Sequence, residues 1–334
     1  MLVLSFRDMS TPRASAVTSA AMYHLAAVSP ALAWEPPPRL SLMSWSDVSA
    51  AVAGKHVCFV VHGFNVDRDN GYTSFGAASQ EMTASGALPL LGPPDGPQNL
   101  AVAGVDLFVP VLWAGDWYLP INYPFLLPDI RLTGKYFADL IVSSATQMSR
   151  VSFVTHSMGV RVVLETVRQA LAAAAKGKFR LPIFDTAMFT AAAASDEVLD
   201  DPDYADAVAA IDRFVIVSSR SDTVLSDIFP VGNAVEQALW ANDPGADDAL
   251  GRYGPRLKTG SAALGKTEWY EIPQGTDPRD NINHNDYFPW PWAPTPPYPN
   301  GWALKSVTIG KISQAVMNSQ PPPWPPAKPV VPRP

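Results

Sequence analysis

Short runs of β-branched and aromatic residues alternate with longer Ala-rich or amphipathic segments through the middle of the chain. Continuous apolar runs of this kind are typical of strands buried on both faces of a parallel sheet. The runs predict strands at 56–61, 105–112, 150–156, 184–190, 213–218 and 267–272. The remaining segments predict helices near 72–85, 128–148, 158–175, 203–210, 230–241 and 303–318. The alternation indicates an α/β fold, with a mostly parallel twisted sheet and helices on both faces.

The organisation of the chain favours one domain, although 334 residues would be enough for two. No internal repeat or convincing linker divides residues 1–318, whose core is expected to span 55–318. Proline-rich loop insertions interrupt the strand–helix alternation within 86–127. Residues 319–334 are so rich in proline that we expect an extended tail on the surface.

Charge and composition exclude several classes of function. The formal net charge is -7 and no basic stripe is present, which argues against a nucleic-acid partner. No stretch approaches the roughly 18 uncharged apolar residues that a membrane span needs. The single cysteine, Cys58, lies within the apolar run 56–61, where a buried and unreactive thiol is expected.

The N-terminal region admits two interpretations. Residues 14–33 are Ala-rich and end in Ala31-Leu32-Ala33, which is similar to a signal-peptide cleavage site. Against export, residues 1–6 have the pattern of a strand, and His24 and Pro30 interrupt the apolar stretch. We therefore expect a cytoplasmic protein, with export through an N-terminal signal as the alternative.

Ser157 is the candidate nucleophile. The strand predicted at 150–156 runs into this serine and then, with almost no turn residues, into a helix. A sharp strand–turn–helix connection lifts a serine hydroxyl above the sheet in the nucleophile-elbow motif. Gly159 supplies the small residue needed two positions after the serine, whereas Thr155 stands where glycine is usual. The motif is therefore a partial match.

Two backbone N–H groups are candidates for stabilising a substrate oxyanion. Met158 lies at the start of the helix that follows Ser157, where free N–H groups and the helix dipole favour negative charge. The second donor is Phe64, because Gly63 allows the loop after strand 56–61 to turn close to the serine. We expect the ring of His62 to hold this loop in shape.

His284 is the candidate general base. In a triad built on a nucleophile elbow, the serine comes first in the chain, then the acid and then the histidine. The chain has five histidines, and His284 alone follows Ser157. The acid leaves two alternatives, because Asp222 and Asp196 both follow predicted strands. When strands are counted so that the serine follows the fifth, the acid of such a triad usually follows the seventh. This count favours Asp222. Asp196 is expected to cap a helix if it does not serve as the acid.

Four motifs occur in a characteristic order along the chain. They are His62-Gly-Phe-Asn65, His156-Ser-Met-Gly159, Ser219-Arg-Ser-Asp222 and His284-Asn-Asp-Tyr287. In this order the chain resembles the α/β-hydrolase superfamily over roughly residues 55–318. Within the superfamily it is similar to an uncharacterised bacterial esterase- or lipase-like group with HGFN and HSMG motifs. The resemblance implies a fold and a Ser-His-Asp triad, but it does not identify the substrate.

The expected reaction is hydrolysis of a carboxylic ester through an acyl-enzyme intermediate, with a small-molecule ester as substrate. It requires no metal or cofactor, and we find no zinc-ligand spacing. An apolar or moderately sized acyl ester would suit a pocket of aromatic residues: Trp113, Trp117, Tyr118, Tyr287 and Phe288, with Tyr123, Trp290 and Trp292 nearby. The alternatives are an amidase or peptidase, an acyltransferase with the same triad, and a catalytically idle binding module.

Overall fold

The buried apolar runs form the strands of one sheet. In the part of the chain that the computed structural model of the protein describes, nine strands have the bounds Leu2–Arg7 (β1), Val17–Leu25 (β2), Leu40–Leu42 (β3), His56–Val61 (β4), Leu107–Leu112 (β5), Arg150–His156 (β6), Ile183–Thr190 (β7), Ile211–Ser219 (β8) and Thr267–Ile272 (β9). β4 through β9 confirm the six predicted strands, with bounds that shift by at most two residues. All six residues of β4 are buried, as expected for a strand covered on both faces.

The structure describes part of the chain in detail. These residues are 2–10, 16–25, 40–64, 66–68, 71, 105–116, 126–143, 147–177, 180–232, 248–272, 274, 281–287 and 327–333. The helices predicted near 72–85 and 303–318 lie outside the described residues, as do residues 233–241 of a third predicted helix and most of the insertions within 86–127.

The sheet is mixed but mostly parallel. Its strand order is β3-β2-β1-β5-β4-β6-β7-β8-β9. β1 and the six strands from β4 to β9 run in one direction, whereas β2 runs in the opposite direction and pairs antiparallel with both β1 and β3. The parallel strands therefore bring their carboxyl ends to one edge of the sheet, where loops from β4, β6, β8 and β9 can meet.

β2 is an element that the sequence analysis missed. Its residues fall within the Ala-rich segment 14–33, and they pair with β1, with Leu4 opposite Met22. Leu4 and Met22 are buried in the same core. The adjoining β3, in contrast, leaves Leu42 exposed at the sheet edge. β2 was hard to recognise because its Ala and Ser residues carry little β-propensity and tertiary pairing decides its conformation.

Six α-helices lie within the described residues. Their bounds are Trp45–Val52 (α1), Leu127–Val142 (α2), Gly159–Gly177 (α3), Ala205–Ala210 (α4), Thr223–Asp227 (α5) and Leu250–Tyr253 (α6). The long helices α2 and α3 pack against each other, and Glu165 of α3 lies against Gly134 of α2, where an added Cβ would come within 2.6 Å of Glu165 Cγ. In the described parts of the chain, no helix is long and apolar enough to cross a membrane.

Alternate residues of the central strands enter two hydrophobic clusters. Val57, Phe59 and Val61 of β4 belong to the larger cluster, which also contains the buried residues of α2 and α3. Cys58 and Val60 point to the opposite face, because side chains alternate along a strand. This second cluster includes Ile282 and Tyr287, so the loop that carries His284 is anchored in the core.

The described part of the Pro-rich tail, residues 327–333, lies against the outer strand β9. The Lys328 N–H donates to the Trp269 carbonyl at 2.7 Å, and the Arg333 N–H donates to the Leu257 carbonyl at 2.7 Å. The Arg333 guanidinium also forms an ion pair with Glu197. These contacts hold residues 327–333 against β9, the strand at the end of the sheet.

Candidate active site

Ser157 lies in a sharp turn between β6 and α3. Its φ angle of 53° is in the left-handed region, which a residue with a Cβ adopts only at a cost of about 1–3 kcal/mol. The turn is held in place because the Ser157 N–H donates to the Thr190 carbonyl of β7 at 3.1 Å. A strained serine fixed in this way has the backbone geometry of a nucleophile elbow.

Two glycines allow the chain to pass close to Ser157. A Cβ on Gly63 would lie 2.5 Å from the Cβ of Ser157, and a Cβ on Gly159 would lie 2.8 Å from the Val61 carbonyl oxygen. Both distances are shorter than real Cβ contacts, so neither position accepts a side chain without a backbone shift. Gly63 therefore brings the β4 loop beside the serine, and Gly159 lets α3 start directly above β4.

Thr155 occupies the position where the elbow usually has glycine. Its hydroxyl donates to the Met188 carbonyl at 3.3 Å, while its own carbonyl accepts from the hydroxyl of Thr190 at 2.7 Å. Thr155 is fully buried on β6. The structure accommodates this departure because both polar groups of the threonine have partners on β7.

Among the three residues predicted as a triad, His284 lies within hydrogen-bonding distance of both Ser157 and Asp222. Ser157 Oγ is 2.9 Å from Nε2 of His284, and Asp222 Oδ2 is 2.8 Å from Nδ1 of the same ring. With the proton on Nδ1, the ring donates to Asp222 and accepts from the Ser157 hydroxyl. The exposed fractions of Ser157, His284 and Asp222 are 5%, 7% and 0%, so little water screens these contacts.

Asp222 and Asp196, the two candidate acids, have different partners. The second oxygen of Asp222, Oδ1, accepts from the Leu225 N–H at 2.9 Å and caps α5. The carboxylate of Asp196 lies 3.5 Å from Nε of Arg256, and the Asp196 carbonyl accepts from the Arg256 N–H. The structure therefore brings Asp222 to His284 and places Asp196 beside an arginine.

The backbone around His284 is held by residues that the sequence analysis did not identify. Ser219 Oγ donates to the Ile282 carbonyl at 2.5 Å. Asn283 Oδ1 accepts from the N–H groups of Thr223, at 3.0 Å, and His284, at 2.8 Å. Ser219 is close to Asp222 along the chain, and Asn283 is next to His284. This proximity in sequence is the signal that could have indicated that they support the His284 backbone.

Comparison with protein families gives a match over residues 46–227, to a family described as "Alpha/beta hydrolase of unknown function (DUF900)". The matched region contains the Gly63 loop, the Ser157 turn and Asp222. The chain belongs to this family. The assignment agrees with the mostly parallel sheet and with the strained serine between β6 and α3.

The solved structures that resemble this α/β hydrolase include one described as the crystal structure of a C6-C4 SN3 inhibited esterase B from Lactobacillus rhamnosis. The two proteins are 10% identical, and the alignment covers 80% of this chain and 79% of the esterase, with a TM-score of 0.34. A likeness at this level carries no information on substrate. A comparison with curated proteins finds no match.

His62 of this α/β hydrolase braces the loop that carries Phe64. Its Nδ1 donates to the Gly63 carbonyl at 2.7 Å, and its Nε2 accepts from the Trp113 N–H at 3.0 Å. Burial lowers the pKa of His62 to about 3, so the ring is neutral at physiological pH. These contacts agree with the expectation that the ring holds the loop in shape.

The predicted oxyanion donors lie on the two segments that approach Ser157. Met158 immediately follows the serine and precedes α3, at the positive end of the helix dipole. Phe64 follows Gly63, whose Cα is packed against Ser157. The use of these N–H groups as an oxyanion hole stays a prediction.

The aromatic residues predicted to line a pocket divide into two groups. Trp113 and Tyr287 are described, and their exposed fractions are 0% and 1%. The indole of Trp113 donates to the His62 carbonyl at 2.8 Å, and Tyr287 packs within the second-face cluster. Both rings therefore support loops of the site, and a contact with substrate stays a prediction. Trp117, Tyr118, Phe288, Tyr123, Trp290 and Trp292 lie outside the described residues.

Metal binding and cysteine chemistry are the other candidate activities to consider among the residues that the structure describes. Among them, no group of three or more His, Cys, Asp or Glu side chains could hold a metal ion. Cys58 is fully buried on β4, and burial raises the pKa of its thiol. A thiol with a raised pKa is a poor nucleophile, in agreement with the structural role expected for Cys58.

Proposed function

We propose that this α/β hydrolase cleaves a carboxylic ester by nucleophilic catalysis at Ser157. The observation that carries the proposal is the hydrogen-bonded series from Asp222 through His284 to Ser157, with distances of 2.8 and 2.9 Å. It is supported by the left-handed φ angle of Ser157, because strain of this kind is retained where the surrounding structure requires it.

The first half of the proposed reaction forms an acyl-enzyme. Nε2 of His284 accepts the hydroxyl proton as Ser157 Oγ bonds to the acyl carbon of the ester. The N–H groups of Phe64 and Met158 donate to the oxyanion, an effect worth about 3–4 kcal/mol per donor. The His284 imidazolium then protonates the leaving alcohol, and the ester C–O bond breaks.

The second half returns the enzyme to its starting state. Water attacks the acyl carbon while His284 accepts its proton, and the acid product leaves as Ser157 regains a hydrogen. Asp222 supports both halves, because its carboxylate fixes the proton on Nδ1 of His284 and stabilises the positively charged ring. Its buried position strengthens this interaction.

We propose an uncharged ester of apolar or moderate acyl length as the substrate class. Met158, which follows Ser157, is apolar, and burial keeps the rings of His156 and His62 neutral. Such surroundings favour an uncharged substrate over a charged one. The amidase, peptidase, acyltransferase and binding-module alternatives predict different results in the experiment below.

A series of p-nitrophenyl esters with acyl chains of graded length tests the proposal, with Ser157→Ala as the matched control. We expect wild-type hydrolysis of at least one ester and at least a thousandfold lower kcat for Ser157→Ala. p-Nitroanilides of the same acyl groups test for an amidase, and an added alcohol acceptor tests for an acyltransferase. Equal rates for wild type and Ser157→Ala, or no hydrolysis of any ester, would contradict the proposal.

A further inference from the structure

His156, the residue before the candidate nucleophile, contacts the backbone of the candidate base. Its exposed fraction is 4%, and its Nε2 lies 2.7 Å from the main-chain carbonyl oxygen of His284, a residue 128 positions away. A carbonyl oxygen only accepts hydrogen bonds, so Nε2 of His156 carries a proton and donates a hydrogen bond to it.

This hydrogen bond completes a set of four around His284. The ring nitrogens of His284 contact Asp222 and Ser157, and its N–H donates to Asn283 Oδ1. Its carbonyl accepts from His156. The neighbours His156 and Ser157 therefore hold the main chain and the ring of the same residue.

We propose that His156 is a positioning residue, whose Nε2–H fixes the main chain of His284 so that its ring faces the Ser157 hydroxyl. The inference rests on the proposed function, because the position of His284 affects rate only if His284 is the base. Reacting groups that shift by about 1 Å can lose roughly a hundredfold in rate. Loss of the His156 donor would leave the His284 carbonyl unpaired in a buried site, and the loop would move to regain a partner.

The charge state of His156 suits this role. Burial, together with the nearby His284 ring at a centroid distance of 4.8 Å, lowers the pKa of His156 to about 3. The ring is thus neutral at neutral pH and still donates a hydrogen bond. A neutral donor adds no positive charge that would oppose formation of the His284 imidazolium during acylation.

The sequence offers a closely matched control in His56. This histidine is also buried, and its Nε2 lies 2.8 Å from Ser152 Oγ. It begins β4, at the edge of the sheet opposite to Ser157. Replacement of His56 therefore removes a comparable buried hydrogen bond without touching the loops that carry Ser157, Asp222 or His284.

The kinetic test compares His156→Leu and His156→Asn with His156→Gln, beside His56→Leu. Leucine has no donor and asparagine is too short to reach the carbonyl, whereas the glutamine amide can place an N–H near the Nε2 position. We expect about a 10–100-fold lower kcat for the Leu and Asn variants, with KM changed less than about threefold. His156→Gln should recover kcat to within about fivefold of wild type, and His56→Leu should keep it within about twofold.

A second measurement reports on the position of His284 without any substrate. In protein labelled with 15N at histidine, the proton on Nδ1 of His284 should give a far-downfield resonance because it is bonded to Asp222. We expect that resonance in wild type, His156→Gln and His56→Leu, and its loss or broadening in His156→Leu and His156→Asn.

The two measurements separate failure of the inference from failure of the proposed function. A wild-type kcat in His156→Asn, a lowered kcat with an unchanged resonance, or no recovery in His156→Gln would overturn the positioning role. If wild type hydrolyses no ester but the resonance responds as expected, the proposed substrate is wrong while His156 still positions His284.

Discussion

Asp222 Oδ2 lies 2.8 Å from His284 Nδ1, although 62 residues separate the two in the chain. The other oxygen of Asp222 accepts from the Leu225 N–H, so the carboxylate is fixed by the first turn of α5 as well as by the histidine. Because each oxygen has its own partner, the orientation of the Asp222 carboxylate does not depend on His284 alone. Substitution can therefore remove the charge while the cap is kept.

Asp222→Asn should lower kcat by about 10³–10⁴-fold with little loss of stability. The asparagine oxygen can still cap α5, but the neutral amide no longer stabilises the imidazolium or selects the Nδ1–H tautomer. Asp196→Asn is the matched control, because Asp196 faces Arg256, and its kcat should stay within about tenfold of wild type. Steady-state kinetics with thermal melts of both variants provide the check, and a larger kcat loss in Asp196→Asn would reverse the assignment.

Gly63→Ala should abolish most of the activity because its Cβ would collide with Ser157. The 2.5 Å approach between the two Cβ positions cannot persist, so the β4 loop or the serine turn must shift. We expect at least a hundredfold lower kcat/KM. Gly265→Ala is the control, because nothing lies within 4 Å of a Cβ at that position. Similar kcat/KM values for the two alanine variants would show that the close approach has no functional effect.

The stability of the protein should fall as the pH drops from about 6.5 toward 3. His62 and His156 both have a pKa lowered to about 3 in the folded state, mainly by burial. The unfolded chain therefore binds more protons than the folded chain in this window, and stability is present above it and lost below it. Each histidine contributes up to roughly 1.4 kcal/mol per pH unit.

Urea unfolding at a series of pH values measures this effect. His156→Gln cannot take up the proton, so the slope of unfolding free energy against pH should decrease by roughly 1.4 kcal/mol per pH unit between pH 6 and 4. An unchanged slope in this variant would mean that His156 is protonated in the folded protein.

Removal of residues 327–334 should destabilise the protein more than it affects catalysis. The truncation deletes the backbone hydrogen bonds that Lys328 and Arg333 make to Trp269 and Leu257, and it exposes the edge of β9. Exposed sheet edges promote association between chains. Calorimetry and light scattering should show a melting temperature lower by several degrees and earlier aggregation on heating, with kcat at 25 °C within about twofold of wild type.

The matched point variant for the truncation is Val331→Ala. The Val331 side chain is 72% exposed, so its replacement leaves the backbone contacts of the segment in place. Its melting temperature should equal that of wild type. An unchanged melting temperature in the truncated chain would show that the segment contributes nothing to the folded state.

The sequence predicts those features that depend on local pattern. The buried strands are visible because β4 is almost entirely apolar and β6 contains a run of Val, Phe and Thr residues. The Ser157 turn is visible because a strand meets a helix without a linker. His284 could be found because no other histidine follows the serine. Each of these signals lies within one segment or in the order of segments.

The remaining features depend on contacts between distant segments. Asp222 and Asp196 both follow strands. Strand order favours Asp222, but the tertiary position of the His284 loop decides which carboxylate contacts the histidine. A tryptophan at position 113 fits a pocket lining as well as a contact with His62, so the sequence could not predict which contacts it makes. The hydrogen bond from His156 to the His284 carbonyl could not be predicted from the sequence either, because it joins a side chain to a main-chain atom 128 residues away.

Trapping of the nucleophile tests the central claim most directly. A fluorophosphonate reacts with an activated serine, forming an Oγ–P bond and releasing fluoride, and mass spectrometry of the digested protein identifies the modified residue. We predict one phosphonyl group per chain, located on Ser157, with ester hydrolysis lost in proportion and labelling at least a hundredfold slower in His284→Gln. A protein that hydrolyses esters while Ser157 remains unmodified, or that carries the label on another residue, would contradict the account.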